Sequence, residues 1–62
     1  MSRTLQTFEI YLHGDPQGPH FEPLACFDER DVVPAVRRIM EERHLYAVEV
    51  HQQGVPLFTV LH

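Results

Sequence analysis

Residues 5–13 alternate between apolar and polar positions. Phe8, Ile10 and Leu12 fall on one side, with Thr7, Glu9, Tyr11 and His13 on the other. A period of two over this length predicts a half-buried strand. The next six residues, Gly14-Asp15-Pro16-Gln17-Gly18-Pro19, are turn chemistry throughout, because proline presets φ and glycine accepts positive φ. A second strand is expected over 20–27, with Phe21, Ala25 and Phe27 on one side. Pro23 lacks an N–H, which assigns this strand to an edge.

The period then changes. Val32, Val36, Ile39, Met40 and Arg43 recur at three- and four-residue steps, giving a helix with one apolar face. Two starts are open. Asp28 can cap the helix, with Asp31 at its third position; or Asp31 is the cap and 28–31 a lead-in, because Pro34 is tolerated only in the first turn. Either start gives regular helix over 34–43. Residues 45–52 alternate again, Tyr46, Val48 and Val50 opposite Ala47, Glu49 and His51. Gln52-Gln53-Gly54 turns the chain into a last, nearly continuous apolar strand over 55–62.

These elements predict an α+β fold of order ββαββ, a four-stranded, mainly antiparallel sheet with one helix packed on one face. The helix is expected to cover Phe8, Ile10, Leu12, Tyr46, Val48 and Val50, anchored by Val36, Ile39 and Met40. Glu9, Tyr11, His13, Glu49 and His51 would then occupy an open face, joined by Phe58 or Leu57. An antiparallel sheet can leave one face to water or to a partner.

Length limits what this fold can do. The 62 residues form a single small domain, 1–62, with 44% hydrophobic and 23% charged residues, close to globular averages. A substrate pocket of a few hundred Å³ needs more wall than such a chain supplies, so an enzyme is not expected. No apolar run spans a bilayer, and residues 1–7 hold none of the kind a signal peptide uses. With Cys26 the sole cysteine, no internal disulfide can form, and the expectation is a cytoplasmic protein without membrane attachment.

Charge narrows the partners. The net charge of −4 lies entirely in the first half, where Glu9, Asp15, Glu22, Asp28, Glu29 and Asp31 outnumber Arg3 and Arg30. From Val32 onward, Glu41, Glu42 and Glu49 balance Arg37, Arg38 and Arg43. A nucleic-acid binder shows the reverse, a basic patch that displaces counterions, so direct binding to DNA or RNA is not expected.

Three constellations could carry chemistry. Glu9, His13, Glu49 and His51 share a face and include metal-ligand types, but exposed strands carry histidine ordinarily and no cysteine pair reinforces the set. No metal or other cofactor is expected. Cys26 could act as a thiolate, yet Asp28 and Glu29 disfavour ionisation and a cysteine beside Phe27 suits a core. The third constellation is carboxylate display: Glu22, Asp28, Glu29 and Asp31 gather at the end of the second strand and the helix start, with Glu9 and Asp15 nearby. Such a surface can imitate phosphates in an Arg/Lys groove. Glu41 and Glu42 oppose the helix dipole, but Arg37 and Arg38 partly offset them.

The whole format resembles the small phage-encoded anti-CRISPR proteins that inhibit type I systems, type I-C among them. The likeness lies in the short opening strand Thr7-Phe8-Glu9-Ile10-Tyr11-Leu12-His13, one central helix, acidity and the lack of an enzyme motif. These inhibitors share no common motif, so the resemblance assigns no residue a role. It implies a stoichiometric inhibitor in the bacterial host cytoplasm, bound to a Cascade-type effector subunit at the surface that engages target DNA. Joined to the charge pattern, it gives an expected partner, the basic DNA-binding surface of a CRISPR effector subunit. The expected contact residues are Glu9, Glu22, Asp28, Glu29, Asp31 and Glu49. The alternative is a small regulatory or assembly domain that dimerises through its open sheet face.

Overall fold

The computed structural model describes residues 4–62; Arg3, counted above among the basic residues, lies outside them. Four strands and one helix follow in the order β1 (Gln6–His13), β2 (His20–Cys26), α1 (Val32–Arg43), β3 (Ala47–Gln52) and β4 (Val55–Leu61). All neighbouring strands are antiparallel, in the spatial order β2-β1-β3-β4. The fold is the expected ββαββ arrangement, and β2 is an edge strand, as Pro23 requires.

The helix start resolves in favour of a lead-in. A single 3-10 turn, Glu29–Asp31, precedes α1, and the extended Asp28 caps it by accepting the Arg30 N–H at 2.9 Å. Asp31, already helical, makes no side-chain cap bond. Pro34 is the third residue of α1, where an N–H would have no helical partner anyway. At the other end His44 takes a left-handed conformation (φ 56°) and its N–H bonds to the Met40 carbonyl, stopping the helix.

Cross-strand register sorts the side chains. Phe8, Ile10 and Leu12 stand opposite Leu24, Glu22 and His20 on one flank, and Ile10 and Leu12 stand opposite Val50 and Val48 on the other. Together with Cys26, Leu45 and Val60, these apolar residues pack against Val32, Val36 and Met40 of α1. No helix among the described residues is long and apolar enough to cross a membrane.

Three placements differ from the sequence reading. Ile39 is a flanking residue, only partly buried. At about 100° per residue, Val32, Val36 and Met40 run down the centre of the buried stripe, while Ile39 and Val33 sit about 60° to either side of Val36. Tyr46 is not under the helix but 64% exposed, and Leu45, 2% exposed, fills that space. The ladder begins only at Ala47, and the Tyr46 ring lies over Gly14 at the sheet's end. Phe27 follows β2 and is half exposed. Between Leu57 and Phe58 the register decides: Phe58 faces α1 opposite Val50, and Leu57 is the extra residue of a bulge beside Val50 and His51.

Candidate functional site

The face of the sheet away from α1 carries Thr7, Glu9, Tyr11 and His13 from β1. Beside them stand Phe21, Pro23 and Ala25 of β2, Ala47, Glu49 and His51 of β3, and Thr59 and Leu61 of β4. Tyr11 lies at its centre, with Phe21 directly opposite on β2 and Glu49 opposite on β3. Five rings form a connected run. Phe21 meets His51 edge-on at 5.2 Å and Tyr11 at 4.6 Å; Tyr11 meets His13 edge-on at 4.8 Å; His13 lies 6.0 Å from Tyr46. These separations are those of interacting aromatic pairs. Phe21 remains 55% exposed, and Leu61 67%, so the run stays open to solvent.

Within this run sits a carboxylate between two imidazoles. His13 Nε2–H donates to Glu49 Oε2 at 2.6 Å, which fixes the proton on that nitrogen because a carboxylate only accepts. His51 Nε2 lies 3.7 Å from Glu49 Oε1, buried and without a hydrogen-bond partner. The His13 hydrogen bond holds the Glu49 carboxyl below its ordinary range, against the opposing effect of desolvation. Glu9, opposite His51, accepts the Gly54 N–H at 3.1 Å and so ties β1 to the β3–β4 turn. No arginine or lysine stands on this face among the described residues.

The expected acidic patch is divided. Glu22 lies on the α1 side of β2, where Arg43 donates to both its oxygens at 2.8 and 2.9 Å and His20 lies 3.2 Å away. Arg43 also donates to Asp15. Arginine holds the Glu22 carboxyl below its usual range; for Asp15 the Gln17 N–H does so first, with Arg43 adding to it. Asp28, Glu29 and Asp31 stand at the opposite end of α1, about 18 Å away along a 12-residue helix, and Asp28 pairs with Arg30 at 3.1 Å. Glu9 and Glu49 are on the other side of the sheet. The six residues therefore occupy three separate places, and Glu22 and Asp28 are each paired with an arginine.

The other sequence candidates resolve as follows. Glu9, His13, Glu49 and His51 do share a face, but no three His, Cys, Asp or Glu side chains among the described residues are placed to hold a metal ion. Cys26 is buried on the α1 side, and burial raises its thiol pKa, which opposes a nucleophilic role. The sequence pattern does not single out Phe21 or Tyr46 as site residues. The parity of β2 relative to β1 was the missing signal for Phe21; Tyr46 carried none, since its alternation pointed to the core. Compared with known protein families, with characterised proteins and with solved structures, the chain matches none of them.

Proposed function

We propose that this chain works by binding, and that its open sheet face is the contact surface for a basic region of another protein. The observation that carries this reading is the run of five rings around Glu49, on a face with two carboxylates and no arginine or lysine among the described residues. A guanidinium can stack on Tyr11 or Phe21 while a carboxylate accepts its N–H groups, so both kinds of group present suit an arginine-bearing surface. The lack of arginine and lysine among the described residues of this face disfavours a phosphate backbone. A face-to-face homodimer is disfavoured as well, because it would oppose two copies of Glu9 and Glu49.

The partner class expected from the anti-CRISPR resemblance, a DNA-binding subunit of a type I effector, has the required basic surface. On this reading the inhibitor covers that surface through Tyr11, Phe21, Glu9 and Glu49, with Glu22, Asp28, Glu29 and Asp31 outside the contact. The test is competition: a purified type I effector, its target DNA, and the parent protein or Phe21→Ala. Phe21 is already half exposed, so its truncation should leave the fold intact, whereas loss of a central aromatic anchor should weaken binding about 30-fold or more. A folded Phe21→Ala protein that competes as well as the parent refutes the face; a parent that never competes refutes the partner class.

A further inference from the structure

The strand order leaves two edges, and they differ. β2 is protected against pairing with another chain: Pro23 removes an N–H at mid-strand, and His20, Glu22 and Arg43 crowd its α1 side with charge. These are the devices by which sheets keep their edges from joining. β4 has almost none. From Val55 to Leu61 it carries no charged residue, and its single proline, Pro56, is confined to the second position beside the bulge. Val55, Leu57 and Leu61 are 58%, 40% and 67% exposed along it, and Thr59 is exposed between them. An uncharged edge that runs regularly beyond its bulge is a template for another strand.

We propose that β4 is the seam of a homodimer, pairing antiparallel with β4 of a second copy about a twofold axis to form one continuous eight-stranded sheet. The occupant must itself be an extended, uncharged strand with free N–H and C=O groups, and β4 of a second copy meets each requirement. Charge placement supports self-pairing at this edge. Glu49 lies one strand in from the seam, so the two Glu49 residues would be three strand spacings apart, about 14 Å. That exceeds the screening length of about 8 Å at physiological ionic strength, so the repulsion expected of a face-to-face dimer is largely absent. Extending the sheet sideways also enlarges the core of a chain too short to build a large one. The seam is independent of the open-face reading and leaves that face free.

Sedimentation equilibrium on the whole chain should give twice the 7.3 kDa of a single chain at high concentration. Isotope-filtered NMR on a mixed labelled and unlabelled sample should show intermolecular contacts between β4 backbones. Thr59→Lys sets the new ammonium opposite Glu49, where the fold tolerates it, while placing like charges across the seam. It should raise the dimer dissociation constant at least about tenfold. Ala25→Lys on the β2 edge should not. A 7.3 kDa species at every concentration, or a dimer broken by Ala25→Lys and indifferent to Thr59→Lys, overturns the proposal. So do intermolecular contacts confined to residues outside β4, a result that requires no variant to fold.

Discussion

Truncating Met40 and truncating Ile39 should have unequal consequences, though the residues are neighbours of similar size on the same helix. Met40 is 2% exposed and lies in the central stripe between Val36 and the Leu45 turn; Ile39 only flanks the core. A fully buried aliphatic truncated to alanine costs about 2–5 kcal/mol, part transfer and part residual cavity. Met40→Ala should fall near the middle, about 3 kcal/mol. Ile39 is partly in water already, so about half that loss applies, and alanine's better helix propensity returns a few tenths; about 1 kcal/mol remains. A domain of 62 residues has about 3–9 kcal/mol in total, so Met40→Ala removes a third or more of it. Urea unfolding monitored by circular dichroism reads the difference. With a slope near 1 kcal/mol/M, the midpoint should fall by about 3 M for Met40→Ala and about 1 M for Ile39→Ala. Equal shifts, or a larger one for Ile39→Ala, would mean that α1 is rotated about its axis from the orientation described.

Gly14→Ala should lower the melting temperature more than Gly54→Ala. Both glycines have positive φ, but a Cβ at Gly14 would also come within 2.8 Å of Tyr46 Cδ1, while Gly54 faces open space; the Gly14 cost should exceed about 1 kcal/mol. Thermal stability should peak between pH 4.5 and 6.5. Glu22 and Glu49 have lowered folded values, so their contribution is present above 4.5 and lost as pH falls through those values. His20 is raised by its bonds to the Gly18 carbonyl and Glu22, so its contribution is full below 6.5 and lost as pH rises through the folded value. Melts of His20→Gln should lack that alkaline decline, and an unchanged decline would assign it to another group. Glu49→Gln should leave the fold standing while weakening binding to a basic partner and flattening its salt dependence, measured by titration calorimetry at two ionic strengths.

The elements were legible because local period and tertiary role agree in most of them. β1 alternates and is a half-buried central strand; Pro23 marks an edge, and β2 is one; Pro34 permits only a helix entry, and a 3-10 turn precedes it. Errors arose where a side chain's fate depended on something beyond its own segment. Tyr46 continues the parity of Val48 and Val50, but the left-handed turn at His44 delivers Leu45 into the core first, leaving Tyr46 outside. Ile39 fits an i+3 step from Val36, yet which flank of a helix is covered depends on how the helix lies across the sheet. No pattern within the helix specifies that.

The candidate site shows the same division in chemical terms. Alternation alone placed Glu9, Tyr11, His13, Glu49 and His51 on one face, because pairing of β1 with β3 requires only that both strands be half buried. The acids of the first half read as one patch because they are close in sequence, and sequence proximity is a poor measure of distance when a helix intervenes. Arg43 is 21 residues from Glu22 and 28 from Asp15, yet it pairs with both and offsets one of their two charges, so a charge count by halves of the chain misplaces its effect. Of the six expected contact acids, Glu9 and Glu49 are the two on the open sheet face, and Glu49 stands among rings rather than arginines. Their charge is directed at whatever covers the sheet. On the proposed function, these two acids are the ones placed to meet a cationic partner, although the first half of the chain carries most of the acids elsewhere.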